Sequence, residues 1–126
     1  MTDSDSAAAD FLRQADAALK DAELLQENGS STGAVNRAYY AAFYGACALL
    51  DSISLKANSH QATITLLHRE FVNPGKIERE LMLEYTRLFE SRMSGDYGVS
   101  SDMTSAEAIR SLKTARRFLE KVKTLL

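Results

Sequence analysis

From Asn36 to Leu50 the chain reads Asn-Arg-Ala-Tyr-Tyr-Ala-Ala-Phe-Tyr-Gly-Ala-Cys-Ala-Leu-Leu, apolar along two helical stripes at once. One stripe is Val35, Ala38, Ala42, Ala46, Leu49 and Ile53, and the other is Tyr40, Phe43, Cys47 and Leu50. A helix with one apolar stripe lies on a core, whereas a helix with two must be surrounded. The remaining segments have to supply its neighbours.

They read as helices too. Ala8, Leu12, Ala15, Leu19 and Ala22 form one stripe on a helix from about Ser6 to Glu27, which Asn28-Gly29 ends. Ser30, Ser31 or Thr32 can cap the central helix, which runs to about Ile53. Ser59 opens a third, shorter helix with Ile64, Leu67 and Phe71 inward, stopped by Asn73-Pro74-Gly75. The fourth begins near Ile77 and carries Ile77, Leu81, Tyr85 and Leu88; Gly95 is expected to end it, with a polar loop from Gly95 to Ser101. Thr104-x-x-Glu107 has the form of a capping box, and Ala108, Leu112, Ala115, Leu119, Val122 and Leu126 make the inward seam of the last helix. No strand-like run occurs. The expected fold is all-α, an up-down four-helix bundle with one additional short helix, as a single domain over residues 1–126 with 1–6 flexible.

Composition excludes several classes. Cys47 is the sole cysteine, so no intrachain disulfide exists, and its apolar segment suits a buried thiol in a reducing compartment. Residues 1–9 lack the basic start and apolar stretch of a signal peptide, and the run from Ala38 to Leu50 is shorter than the ~20 residues that cross a bilayer. A soluble, cytoplasmic protein with no membrane contact is expected. The net charge of -2 hides an asymmetry: Met1–Glu27 holds seven acids and two bases, and Arg110–Leu126 six bases and one acid. Arg110, Lys113, Arg117 and Lys121 form a basic stripe on the last helix, either a solvated face or a surface for RNA backbone or an acidic partner.

Arg92 is the principal candidate for chemistry, because it occupies the next turn of the apolar stripe ending at Leu88. Its stem is expected to be buried and its planar guanidinium to emerge at the bundle edge, suited to phosphate or carboxylate. The structural alternative is closure of the helix end by pairing with Asp96. Asp96 could otherwise orient Arg92 or act as a base, and Tyr97 could stack on a base or donate a hydrogen bond; a cap and a half-buried phenol explain them as well. Asn36 and Tyr40 share a face near the start of the central helix, with Arg37 on a different one. His60, in the first turn of the third helix, is expected to have a lowered pKa and a neutral imidazole, suited to accept a proton or bind in the cleft; an exposed terminal histidine is the alternative. His68 has no carboxylate or cysteine at ligand spacing, so neither metal nor cofactor is expected.

Taken in order, Asn36-Arg37-Ala38-Tyr39-Tyr40-Ala41-Ala42-Phe43, His60, Phe71-Val72-Asn73-Pro74-Gly75-Lys76-Ile77 and Arg92-x-x-x-Asp96-Tyr97 resemble the HEPN domain, in its stand-alone prokaryotic branch of small proteins. The resemblance covers roughly Ala7 to the C-terminus. It implies a homodimer with a cleft shared between subunits. It also implies a metal-independent endoribonuclease, of the kind often found as a toxin paired with a minimal nucleotidyltransferase antitoxin. The family motif places a histidine after four to six intervening residues from the arginine, where this chain has Tyr97, Gly98 and Val99. On this resemblance Arg92 would hold the scissile phosphate, Asp96 would orient or deprotonate, and Asn36, Tyr40 and Tyr97 would line the cleft, with Tyr97 also the nearest candidate for adenylylation by an antitoxin. The missing histidine keeps open a rival, a non-catalytic nucleotide- or protein-binding module using the same cleft. A purely structural helical adaptor is a third reading.

Overall fold

In the computed structural model the backbone is described for residues 3–97 and 103–126, and side chains for residues 7–93 and 103–126. Among these residues there are five α-helices and no strand: α1 (Asp3–Glu27), α2 (Ser31–Ser52), α3 (His60–Leu67), α4 (Arg79–Tyr97) and α5 (Ser105–Leu125). Between α3 and α4 the chain widens into a π-helical turn, His68–Val72, whose last bond runs from the Asn73 amide to the His68 carbonyl at 2.8 Å.

α2 is central and packs against α1, α3, α4 and α5. Its composition permits this. Ala34, Ala38, Ala41, Ala42, Ala46 and Ala48 are all fully buried and let neighbouring backbones approach from several sides. The closest approach is at Gly45, where a methyl group would lie 2.6 Å from Leu119 Cδ2 of α5. α5 answers with Ala108, Leu112, Ala115, Phe118, Leu119 and Val122, and α4 with Leu81, Met82, Tyr85 and Leu88. Ile53 and Leu126, expected inward, are exposed, because each stands at the end of its helix beyond the edge of the core.

The helix ends follow local chemistry. α1 closes with Ser30 N–H on the Leu25 carbonyl (2.8 Å) and Gly29 N–H on the Gln26 carbonyl (3.1 Å), with Gly29 at φ 79°. Ser59 caps α3 by accepting from the Ala62 amide at 2.9 Å, and Thr104 caps α5 by accepting from the Glu107 amide at 3.1 Å. Ser30 occupies the cap of α2 without a side-chain bond. Thr32 instead accepts from the Met103 amide at 3.1 Å, tying the approach to α5 onto the start of α2. One expectation is corrected: α4 does not stop at Gly95 but continues to Tyr97. A lone glycine costs a helix roughly 1 kcal/mol, and the nineteen-residue α4 runs through it.

Candidate functional site

Where the first turns of α2 meet the start of α3 and the later turns of α4, aromatic side chains form a continuous floor. Tyr39, fully buried, has ring centroids 5.9 Å from Phe43, 6.2 Å from Tyr85 and 5.6 Å from Phe89. Tyr40, half-buried one residue on, meets Tyr39 edge-to-face at 5.3 Å. Such pairs contribute about 0.5–1.5 kcal/mol each beyond area burial, so the floor is a rigid platform.

Two guanidinium groups converge on it. Arg92 Nη2 donates to the Tyr40 hydroxyl at 3.0 Å, and its guanidinium carbon lies 5.3 Å from the Tyr40 ring centroid and 5.7 Å from that of Tyr39. Arg37, one turn earlier on α2, places its guanidinium 5.4 Å from the same Tyr40 centroid. Each cation–π contact is worth roughly 0.5–1 kcal/mol, and the charged hydrogen bond about 1.5–3 kcal/mol. Arg92 therefore turns its head to the beginning of α2. Arg37 joins the site although it leaves α2 on a different face from Asn36, because its long arm folds back over Tyr40. Arg37 and Arg92 thus set two permanently charged guanidiniums against one phenol ring.

His60 completes the group. Its Nδ1 lies 2.6 Å from the Tyr39 hydroxyl, and its ring packs 4.6 Å from Phe43 and stacks with Phe89 at 6.0 Å. Its pKa is held below the ordinary 6.5, first by burial and second by the Arg92 charge. Burial pushes the Tyr39 hydroxyl and the wholly enclosed Tyr85 hydroxyl above the usual phenol range.

The other predicted residues are placed as follows. Asn36 sits half-buried one turn before Tyr40. Asp96 and Tyr97 belong by backbone to the last turn of α4, Asp96 four residues beyond Arg92, and their side chains lie outside the described residues. Two of the four residues of the basic stripe of α5 pair across to α4 or the residue just before it, while Arg110 and Lys113 are exposed. Arg117 donates to both Glu84 oxygens at 2.9 and 2.7 Å, and Lys121 pairs with Glu78 at 2.6 Å. Cys47, with its thiol pushed up to about 11 by burial, lines a separate cavity of about 240 Å³ with Phe11, Leu50 and Asp51. Among the described residues no cluster of histidine, cysteine and carboxylate side chains could hold a metal ion, and no helix is long and apolar enough to cross a membrane.

Sequence reasoning missed Tyr39, Tyr85's place behind it, and Phe89. The available signal was the four-residue step from Val35 to Tyr39, which turns a phenol into the core where it needs a partner. That the partner would be His60, 21 residues away, no local periodicity reveals.

The same architecture occurs in known proteins. A crystal structure of TT1696 from Thermus thermophilus superposes with a TM-score of 0.82 at 22% identity, over 94% of this chain and 98% of that one. A UPF0332 protein of Thermotoga maritima is 38% identical over 90% of this chain and 86% of its own length. The Methanocaldococcus jannaschii protein named "Putative toxin MJ0605" is 34% identical over 86% of this chain and 80% of its own length. The HEPN domain model matches residues 8–125, which spans every helix that builds the site. With motif order, helical architecture and this full-length match in agreement, the chain belongs to the HEPN domain family.

Proposed function

We propose that this chain acts on RNA or nucleotide phosphate through the Arg37–Arg92 platform, as the toxin-like half of a two-component system. In this reading it is a cytoplasmic homodimer whose two platforms share a cleft, and its partner is a minimal nucleotidyltransferase antitoxin. The carrying observation is that two guanidiniums meet on the ring of Tyr40, with Arg92 hydrogen-bonded to its hydroxyl. Fixed cations on a rigid aromatic floor suit a phosphate diester, the charges meeting the non-bridging oxygens and the rings meeting a base. The name of the Methanocaldococcus jannaschii relative supports the toxin-like role.

Metal-independent cleavage would proceed by attack of the ribose 2′-oxygen on the adjacent phosphorus, with the P–O5′ bond breaking and the 5′-oxygen departing as an alcohol after taking a proton from solvent. The arginines stabilise the charge that accumulates on phosphorus-bound oxygens but cannot exchange protons. In this reading Asp96, four residues past Arg92 on α4, takes the 2′ proton, and Tyr97 follows it in the chain. Asn36 and Tyr40 line the entrance. The absence of histidine at positions 97 to 99 favours one rival specifically, a module that binds the same ligand without turning it over.

One experiment separates the readings. The purified protein is incubated with labelled RNA in the presence of a chelator, beside Arg92→Ala, while sedimentation reports its mass. The proposal expects a dimer that cleaves, and a loss of about 10²-fold or more in Arg92→Ala, the usual cost of removing one such charge. RNA retained but uncut, with retention lost in Arg92→Ala, selects the binding module. A monomer indifferent to RNA overturns both.

A further inference from the structure

We propose that Tyr39 is a positioning residue that fixes His60 as the tautomer with its proton on Nε2, so that His60 serves the platform as a neutral hydrogen-bond donor to phosphate and not as a base. The phosphate half of this rests on the function proposed above; the tautomer half does not.

The Tyr39 side chain is completely enclosed, so its hydroxyl cannot turn to solvent. Two groups are near enough to receive its proton. One is His60 Nδ1 at 2.6 Å. The other is the Tyr85 hydroxyl, which faces Tyr39 but makes no hydrogen bond of good geometry. Tyr39 therefore donates to Nδ1. A nitrogen that accepts must carry its lone pair, and a neutral imidazole has one bare nitrogen and one N–H. The proton of His60 is then on Nε2.

The alternatives each cost more. A ring protonated on Nδ1 would donate to the Tyr39 oxygen and leave the Tyr39 proton with only the poorly placed Tyr85 oxygen, in an enclosed site. An imidazolium would add the same conflict to a third positive charge beside Arg92. The groups packed on His60 from α2 and α4 are Tyr39, Tyr40, Phe43, Phe89 and the Arg92 charge, and no described carboxylate is among them to favour the cation.

Nε2 has no partner among the described residues, and the ring is only half-buried. An N–H on Nε2, on a ring that feels the Arg92 charge and packs on the same Tyr40 that Arg37 covers, adds a further donor for anionic oxygen. It also takes His60 out of contention as the group that accepts the 2′ proton, since its free nitrogen is already protonated. The same logic operates wherever a neutral imidazole polarises an oxygen without giving up its proton.

Long-range proton–nitrogen NMR of the uniformly labelled protein at pH 8 reads which ring nitrogen carries hydrogen. The chain has two histidines, so a His68→Gln spectrum assigns the signals. The expected result is bare Nδ1 and protonated Nε2 for His60, retained in Tyr85→Phe and replaced by a mixture of both tautomers in Tyr39→Phe. Protonated Nδ1 in the unmodified protein, or an unchanged tautomer in Tyr39→Phe, overturns the inference. Should Tyr39→Phe fail to fold, the unmodified and Tyr85→Phe spectra still decide it. Titration with inorganic phosphate then tests the ligand half: a saturable shift of the Nε2 signal is expected, and an unmoved signal overturns that half whatever the tautomer. Intact RNA in the cleavage assay together with a phosphate-dependent shift would defeat the catalytic reading and leave this inference standing.

Discussion

A cysteine at the centre of a helix invites a nucleophilic role, and the surroundings of Cys47 argue against one. No basic group offsets its desolvation, and burial alone pushes its pKa to about 11. A thiol with that pKa is about one part in 10³ ionised at pH 8, against roughly a fifth for a free cysteine near 8.5. Cys47 nevertheless lines an open cavity with Phe11 and Leu50, so ionisation and not access sets its reactivity. Alkylation by iodoacetamide at pH 8 should therefore run about 10²-fold slower than that of free cysteine and accelerate steadily as pH rises. Rapid stoichiometric labelling at pH 8 would refute this. Arg92 shows the opposite relation between place and chemistry. Its guanidinium is oriented by a phenol oxygen and two aromatic faces.

At the scale of helices, the ends of α1 and α2 make an informal controlled comparison. Both close with the same paired bonds: Ser30 to Leu25 with Gly29 to Gln26, and Leu55 to Leu50 with Ser54 to Asp51. The left-handed residue is glycine in the first, at φ 79°, and serine in the second, at φ 61°. A side chain in that conformation costs about 1–2 kcal/mol, offset in part by the greater freedom glycine has when unfolded. Ser54→Gly should accordingly raise stability by about 0.5–1 kcal/mol, read as a shift in the urea midpoint at constant slope; a fall would show that the Ser54 side chain contributes something the backbone bonds do not. The helices themselves were legible in the sequence because 3.6-residue periodicity and caps are local signals. Ser59, Thr104 and the Asn28-Gly29 stop stand where the chain's own residues put them. The π-helical turn was not legible, since Phe71 and Val72 both turn inward there and simple spacing accounts for only one. Of the site, Arg92 was readable from its register, whereas the bond of Tyr39 to His60 joins segments that meet only after the bundle forms.

Across the whole molecule, part of the charge asymmetry of the sequence is met by pairing on folding. α5 lies against α1 and α4, and the basic C-terminal segment meets acids from both sides: Lys123 with Asp16, Arg116 with Glu23, Lys121 with Glu78 and Arg117 with Glu84. Exposed pairs of this kind contribute about 0–1 kcal/mol each, so they set register between helices more than they hold them together. Their pH dependence is confined to acid. The Glu78 carboxyl is held below its ordinary 4.5, chiefly by the hydrogen bond from Lys121, so its contribution is present above about pH 4.5 and is lost as pH falls through its folded value. His60 acts in a separate window. Its folded pKa lies below 6.5, so between that value and 6.5 the unfolded chain binds more protons than the folded one. Its stabilising effect is complete above 6.5 and declines as pH falls through the folded pKa. Melting temperature followed by circular dichroism should thus be level from about pH 7 to 9, dip first below 6.5, and dip again below 4.5. His60→Gln should be less stable throughout, because Tyr39 loses its acceptor, yet should lack the first dip and keep the second. Lys121→Met should do the reverse, weakening only the acid step. A first dip that persists in His60→Gln would mean that some other group senses neutral pH, and the burial of His60 beside Arg92 would no longer account for the profile.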